Sequence, residues 1–130
     1  MLRHLVPSAI RAPFARYSHA VEIPPGSRLL LVSGQLGIEP GDTVPESAEA
    51  QAEVCFRAIA ACLAEAGMTP ADIVRLNAYV TDRAHMAGYM AARDRFAADP
   101  PPASTLMIVS GFTRPEFKVE IEALAARVEG

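Results

Sequence analysis

Between Leu29 and Asp82 the hydrophobic pattern changes period twice. Leu29–Gln35 is an apolar run that predicts a strand; Ile38 closes it, and Pro40-Gly41-Asp42 signals a turn. From Pro45, Glu46 and Ser47 the period becomes helical, with Cys55, Ile59, Cys62, Leu63 and Ala66 on one face. Proline is tolerated in a first turn, and the acids suit the positive end of the helix dipole. Glu53 and Arg57 are spaced as an i, i+4 ion pair, and Gly67 is the expected residue just past the helix end, because glycine enters the left-handed region without steric cost. Asp72–Thr81 then alternates with period two: Val74, Leu76, Ala78 and Val80 share one face, Arg75, Asn77 and Tyr79 the other.

The flanks extend the pattern. Arg16–Ile23 predicts an edge strand, joined to Leu29–Gln35 by Pro24-Pro25-Gly26-Ser27 as an antiparallel hairpin. Asp82 is the expected N-cap of a second helix with Met86, Tyr89, Met90, Arg93 and Phe96 along one broad face; it stops before Asp99, where three prolines force extended chain. Thr105–Val109 is continuously apolar, as in a strand buried on both faces. In the last strand, Phe117–Val128, Val119, Ile121, Ala123 and Ala125 alternate with Lys118, Glu120, Glu122 and Leu124. The strand–helix–strand unit predicts a parallel pair with a right-handed crossover. The order β-β-α-β-α-β-β predicts an α/β (α+β) domain over 1–130: one mixed sheet with both helices on one face. Two helices cannot cover a second face, so a further copy of the chain is expected against it.

Composition narrows the function. Net charge is −3 and Lys118 is the single lysine, so nothing draws the chain to nucleic acid, and no apolar run is long enough to span a bilayer. Cys55 and Cys62 lie seven residues apart on one helix, about 10 Å along its axis, too far to pair; both read as small core residues of a cytoplasmic protein. The N-terminus carries Arg3, Arg11 and Arg16 with no acid before Glu22, as in an organellar transit segment, but Pro7 and Pro13 interrupt any long helix there. His4, His19 and His85 have no metal-ligand spacing, and neither a phosphate-cradling glycine loop nor a nucleophile elbow occurs.

Several segments in order resemble the RidA/YjgF family, formerly named for an L-PSP endoribonuclease. They are Pro13–Val21 (PFARYSHAV), Leu31–Leu36 (LVSGQL), Gln51-Ala52 in a helix ending Ala-Gly, Asp72–Asp82 (DIVRLNAYVTD), Pro102–Thr105 (PAST) and Lys118–Ala125 (KVEIEALA). The resemblance implies a chorismate-mutase-like fold and a homotrimer whose sheets close a barrel, with ligand clefts between subunits. It also implies cofactor-free hydrolysis of 2-imino and enamino acids to keto acids and ammonia. By the same resemblance, Glu120 orients the attacking water, Tyr17 reaches the cleft from the first strand and Ser33 lies near the cleft floor. A nuclease reading has neither a basic groove nor a metal site behind it.

Three positions depart from that pattern. Ser104 stands where the deaminases carry a carboxylate-binding arginine, Leu106 where they commonly carry cysteine, and Met90 where many carry asparagine. A guanidinium forks onto a carboxylate through two charge-assisted bonds, each contributing about 1.5–3 kcal/mol; a serine offers one neutral donor. The ordinary 2-imino acid is therefore not the expected substrate, and Leu106 and Met90 favour a less polar ligand. Arg114, in the loop before the last strand, is the candidate replacement cation. The enzyme reading is hydrolysis of another imine, enamine or reactive metabolite; the alternative is a non-catalytic trimer that binds a small metabolite.

Overall fold

The computed structural model describes residues 1–129. Its strands are β1 (Arg3–Leu5), β2 (Ala20–Glu22), β3 (Ser27–Leu36), β4 (Ile73–Val80), β5 (Ala103–Ile108) and β6 (Val119–Val128). Helix α1 (Ala48–Glu65) lies between β3 and β4, and α2 (Met86–Phe96) between β4 and β5. The main sheet has the order β3-β6-β4-β5, and β1 and β2 form a separate antiparallel pair.

The core lies between both helices and one sheet face, as the binary pattern requires. Ala52, Cys55, Ile59 and Leu63 of α1 and Tyr89 of α2 pack with Leu76, Ala78, Val80, Val119 and Ile121 in one cluster. The Ser47 side chain accepts from the Ala50 amide to start α1, and Gly67 follows its end at φ 70°, the left-handed position expected of it. Asp82 caps the short 3-10 turn Arg83–His85 rather than α2 itself, which begins directly after that turn without a side-chain cap.

Four expectations are corrected. Arg16–Ile23 and β3 do not form a hairpin: β2 pairs with β1 (His4 opposite Val21), and β3 pairs with β6. Pro24 and Pro25 supply no amide hydrogens beside the turn, whereas β6 offers β3 a ladder from Ser27 to Leu36, interrupted at Ser33-Gly34, and an apolar face. The parallel neighbours are β4 and β5, linked through α2; β6 inserts between β3 and β4 and is antiparallel to both. Thr105–Val109 is not central. As β5 it is an edge strand with Met107 55% and Ile108 45% exposed, because an apolar run cannot tell burial within a chain from burial against another molecule. Lastly, Glu53 pairs with Arg95 of α2 at 3.3 Å and Arg57 with Glu39 at 3.2 Å, not with each other.

The face away from the helices carries Leu29, Leu31, Ser33, Arg75, Asn77, Tyr79, Glu120, Glu122 and Leu124 by register and alternation. Leu31 on it is 77% exposed. Among the described residues no helix is long and apolar enough to cross a membrane.

Candidate functional site

The expected site residues fall into two groups. The first surrounds a bulge in β3. Register slips between Val32 and Gln35, so Ser33 and Gly34 stand out of the ladder, with the Ser33 side exposed. Gly34 leaves room for what lies over it: a Cβ there would come 2.5 Å from Oε2 of Glu120 and 2.8 Å from its Cδ. The Glu120 carboxyl thus rests on the bare backbone of the bulge. Beside it on β4, Tyr79 donates to Oε1 of Glu122 at 2.7 Å, and Asn77 donates to the same atom at 3.2 Å. That bond and the Glu122 charge push the Tyr79 hydroxyl pKa up. Asn77 Oδ1 is buried with no partner among the described residues.

The second group gathers at the start of β5. Ser104 is opposite Leu76 and Leu106 opposite Ala78, which puts both on the helix side of the sheet. Met90 and Leu106 pack, half-buried, against the core. Tyr17 belongs to a loop pinned to the same region. The Ser18 amide donates to the Pro102 carbonyl at 3.0 Å and its hydroxyl to Pro101 at 2.6 Å, while Arg16 donates to the Ala97 and Ala98 carbonyls. The Tyr17 ring meets His19 edge-on, and its hydroxyl accepts from the Phe14 amide at 3.4 Å.

The two groups do not meet in one chain. Glu120 is opposite Tyr79, on the helix-free face of β6; Ser104 is on the helix face of β5. With β4 between them, their strands are about 10 Å apart before the opposite projection is counted. Three surface concavities, of about 550, 210 and 610 Å³, lie elsewhere: near Met1, His4 and Arg127, near Phe56 and Phe96, and near Ile38 and Arg57. None of the three is lined by Tyr17, Ser33, Ser104, Arg114 or Glu120.

Arg114 is engaged on its own loop. Its guanidinium lies 4.7 Å from the Phe117 ring centroid and 3.3 Å from Glu116. Other arginines are also held: Arg75 donates to the Thr105 hydroxyl at 2.7 Å, and Arg93 to Asp94 at 3.1 and 3.2 Å. Arg93 and Tyr89, 4% and 0% exposed, carried no chemistry in the sequence reading. The signal was present: an arginine in the apolar stripe Met86, Tyr89, Met90, Arg93, Phe96 is out of place unless it is paired. No group of three or more His, Cys, Asp or Glu among the described residues is arranged to hold a metal ion.

This arrangement has relatives. The profile of the family described as endoribonuclease L-PSP matches residues 8–127. The chain belongs to that family. A RutC family protein of Haemophilus influenzae is 31% identical over 121 residues, 89% of this chain and 90% of its own. Among solved structures, YyfB of the conserved Rid protein family from Yersinia pestis aligns with a TM-score of 0.82 at 29% identity, over 97% of this chain and 98% of that one. RidA from the Antarctic bacterium Psychrobacter sp. PAMC 21119 aligns at 0.70 with 30% identity over 88% and 90%. YjgF from E. coli aligns at 0.70 with 27% identity over 88% and 91%. The family's α+β fold, two helices on a mixed sheet, is thus this chain's fold.

Proposed function

We propose that this protein is a homotrimeric hydrolase that cleaves the C=N bond of an imine, or of the enamine in equilibrium with it, in clefts between neighbouring copies. Its substrate lacks the carboxylate of an ordinary 2-imino acid. The observation that carries this reading is Ser104, a short neutral side chain at the mouth of β5, with Arg75, Arg93 and Arg114 each already engaged. The split of Glu120 from Ser104 supports a site completed by a second copy, and Leu29, Leu31 and Met107 supply exposed apolar surface for that contact. Two free cysteines support a reducing compartment, the cytoplasm.

In this reading Glu120 takes a proton from water as the oxygen adds to the imine carbon. It delivers that proton to nitrogen to give the neutral carbinolamine, then relays the carbinol O–H proton to nitrogen as the C–N bond breaks to carbonyl and ammonia, so imine plus water balances. Tyr17 and Ser33 hydrogen-bond the substrate; Leu106 and Met90 line the apolar side. The family's nuclease description fits this chain poorly, since a net charge of −3 with one lysine repels a phosphate backbone.

The test compares ammonia release from enzymatically generated 2-iminobutanoate by the wild-type protein, Ser104→Arg and Glu120→Gln. Restoring the two-bond clamp should raise turnover about 10- to 100-fold, and Glu120→Gln should abolish it in both backgrounds. Wild-type turnover equal to that of Ser104→Arg would overturn the reading. The half-buried Met90 and Leu106 favour a second reading, a trimer that binds a largely apolar metabolite without reaction. Thermal stabilisation by neutral metabolites with no ammonia release from any imine would favour it.

A further inference from the structure

The Tyr89 hydroxyl is an anomaly in the core. The side chain is 0% exposed, its ring is stacked 6.1 Å from Phe56, and its oxygen has no hydrogen-bond partner among the described residues. A buried hydroxyl without a bond is costly, and a phenylalanine would fill the same space without that cost. Two polar groups nevertheless converge on it. Ser104 projects from β5 toward the helix layer where Tyr89 lies, opposite Leu76 of the core. Arg93, one helical turn along α2, holds its guanidinium 5.8 Å from the Tyr89 ring centroid while bonded to Asp94. Burial raises the Tyr89 pKa, and the nearby Arg93 charge and Ser104 hydroxyl partly oppose that rise, so the phenol keeps its proton at neutral pH.

We propose that Tyr89 is a positioning residue acting through Ser104: when Ser104 donates its hydroxyl hydrogen to a ligand oxygen, the Tyr89 hydroxyl donates to Ser104 Oγ. The chain Tyr89 O–H to Ser104 O–H to ligand gives the orphaned hydroxyl a partner and leaves the serine hydrogen for the ligand. Donors in series strengthen one another. Because Arg93 is neutralised by Asp94, the relay presents no net positive charge, and the acceptor it fits is an uncharged carbonyl oxygen: an amide, ester or ketone. This rests on the reading of Ser104 given under Proposed function and names the group that replaces the carboxylate.

The experiment measures calorimetric binding of 2-oxobutanamide and 2-oxobutanoate to the wild-type protein, Tyr89→Phe, Ser104→Ala and the double variant. The amide should bind the wild-type protein more tightly than the acid. Each single change should weaken the amide about 3- to 10-fold, and the double should be no weaker than Ser104→Ala alone. Tyr89→Phe should also keep or raise the melting temperature, which a merely structural bond would not allow. Preference for the acid overturns both the unclamped site and the relay, as does no saturable binding of either compound. Preference for the amide that is unchanged in Tyr89→Phe, or an additive double variant, overturns the relay alone.

Discussion

Alanine at Gly34 and alanine at Gly37 are the same change three residues apart in β3 and the turn after it, yet the two positions should fail in opposite ways. At Gly34 the new methyl meets Oε2 of Glu120 at 2.5 Å, Cδ at 2.8 Å and Cγ at 3.1 Å, all in the free end of one side chain. Ordinary contact begins near 3.4 Å, so the carboxyl must withdraw by about 1 Å, which it can do by rotation. A displacement of about 1 Å at a reacting group costs about 100-fold in rate. The fold loses little, since alanine also restricts the unfolded chain by about 0.4–1 kcal/mol.

At Gly37 the methyl meets Gln51 Cβ at 2.5 Å and its Cα at 2.8 Å. No rotation relieves a clash with backbone; α1 would have to move off the sheet. Overpacking of this kind costs about 1–3 kcal/mol. The assay is urea unfolding of both variants, with ammonia release from an imine lacking a carboxylate measured alongside. Gly34→Ala should keep wild-type stability within about 1 kcal/mol and lose activity. Gly37→Ala should lose stability, with activity kept by the fraction that stays folded. Undiminished ammonia release from Gly34→Ala would refute the role given to Glu120, and a Gly34→Ala protein less stable than Gly37→Ala would refute the packing reasoning.

Burial raises the Cys55 thiol to about 12 from 9.0, partly opposed by the contact with its own backbone N–H, so its contribution is complete below pH 9 and is lost as pH climbs toward 12. Wild-type stability should therefore fall by about 2 kcal/mol between pH 9 and 10.5, and the fall should be shallower in Cys55→Ala; parallel curves from urea unfolding would contradict it. Gln51 bonds the Pro45 carbonyl at 2.8 Å, the Glu116 carbonyl at 2.9 Å and the Lys118 amide at 2.8 Å. Gln51→Ala leaves all three unpaired and should cost at least about 3 kcal/mol in the same assay. Leu31→Asp should shift sedimentation from trimer to smaller species without unfolding the chain, and a wild-type protein that sediments as a monomer would remove the premise.

Much of the fold was legible because single positions carried local physics. Ser47 and Gly67 bracket α1, and the Val74–Val80 alternation fixes the face of β4. The pairing of strands was less legible. Nothing local says that β6, last in the chain, inserts between β3 and β4, because that choice is made by the whole sheet. Tyr89 and Arg93 escaped functional notice for a related reason: a helical stripe reports burial, and only coordinates show that one buried hydroxyl lacks a partner. Ser104 was read from the sequence as a missing guanidinium and Arg114 as its candidate replacement; in the fold Arg114 lies on its own loop against Phe117 and Glu116.

The separation of Glu120 from Ser104 yields one more test. If each cleft takes its carboxylate from one copy and its serine hydroxyl from another, two inactive variants should complement each other. Glu120→Gln retains Ser104, and Ser104→Trp retains Glu120. Unfolded together and reassembled in equal amounts, they form mixed trimers in which about one cleft in four combines both intact groups, so about a quarter of wild-type ammonia release should return. Neither variant reassembled alone should recover any. A site built within one chain predicts no recovery from the mixture either, and that result would mean that one ligand reaches opposite faces of the sheet across β6, β4 and β5, against the register of β5 and β6 on β4.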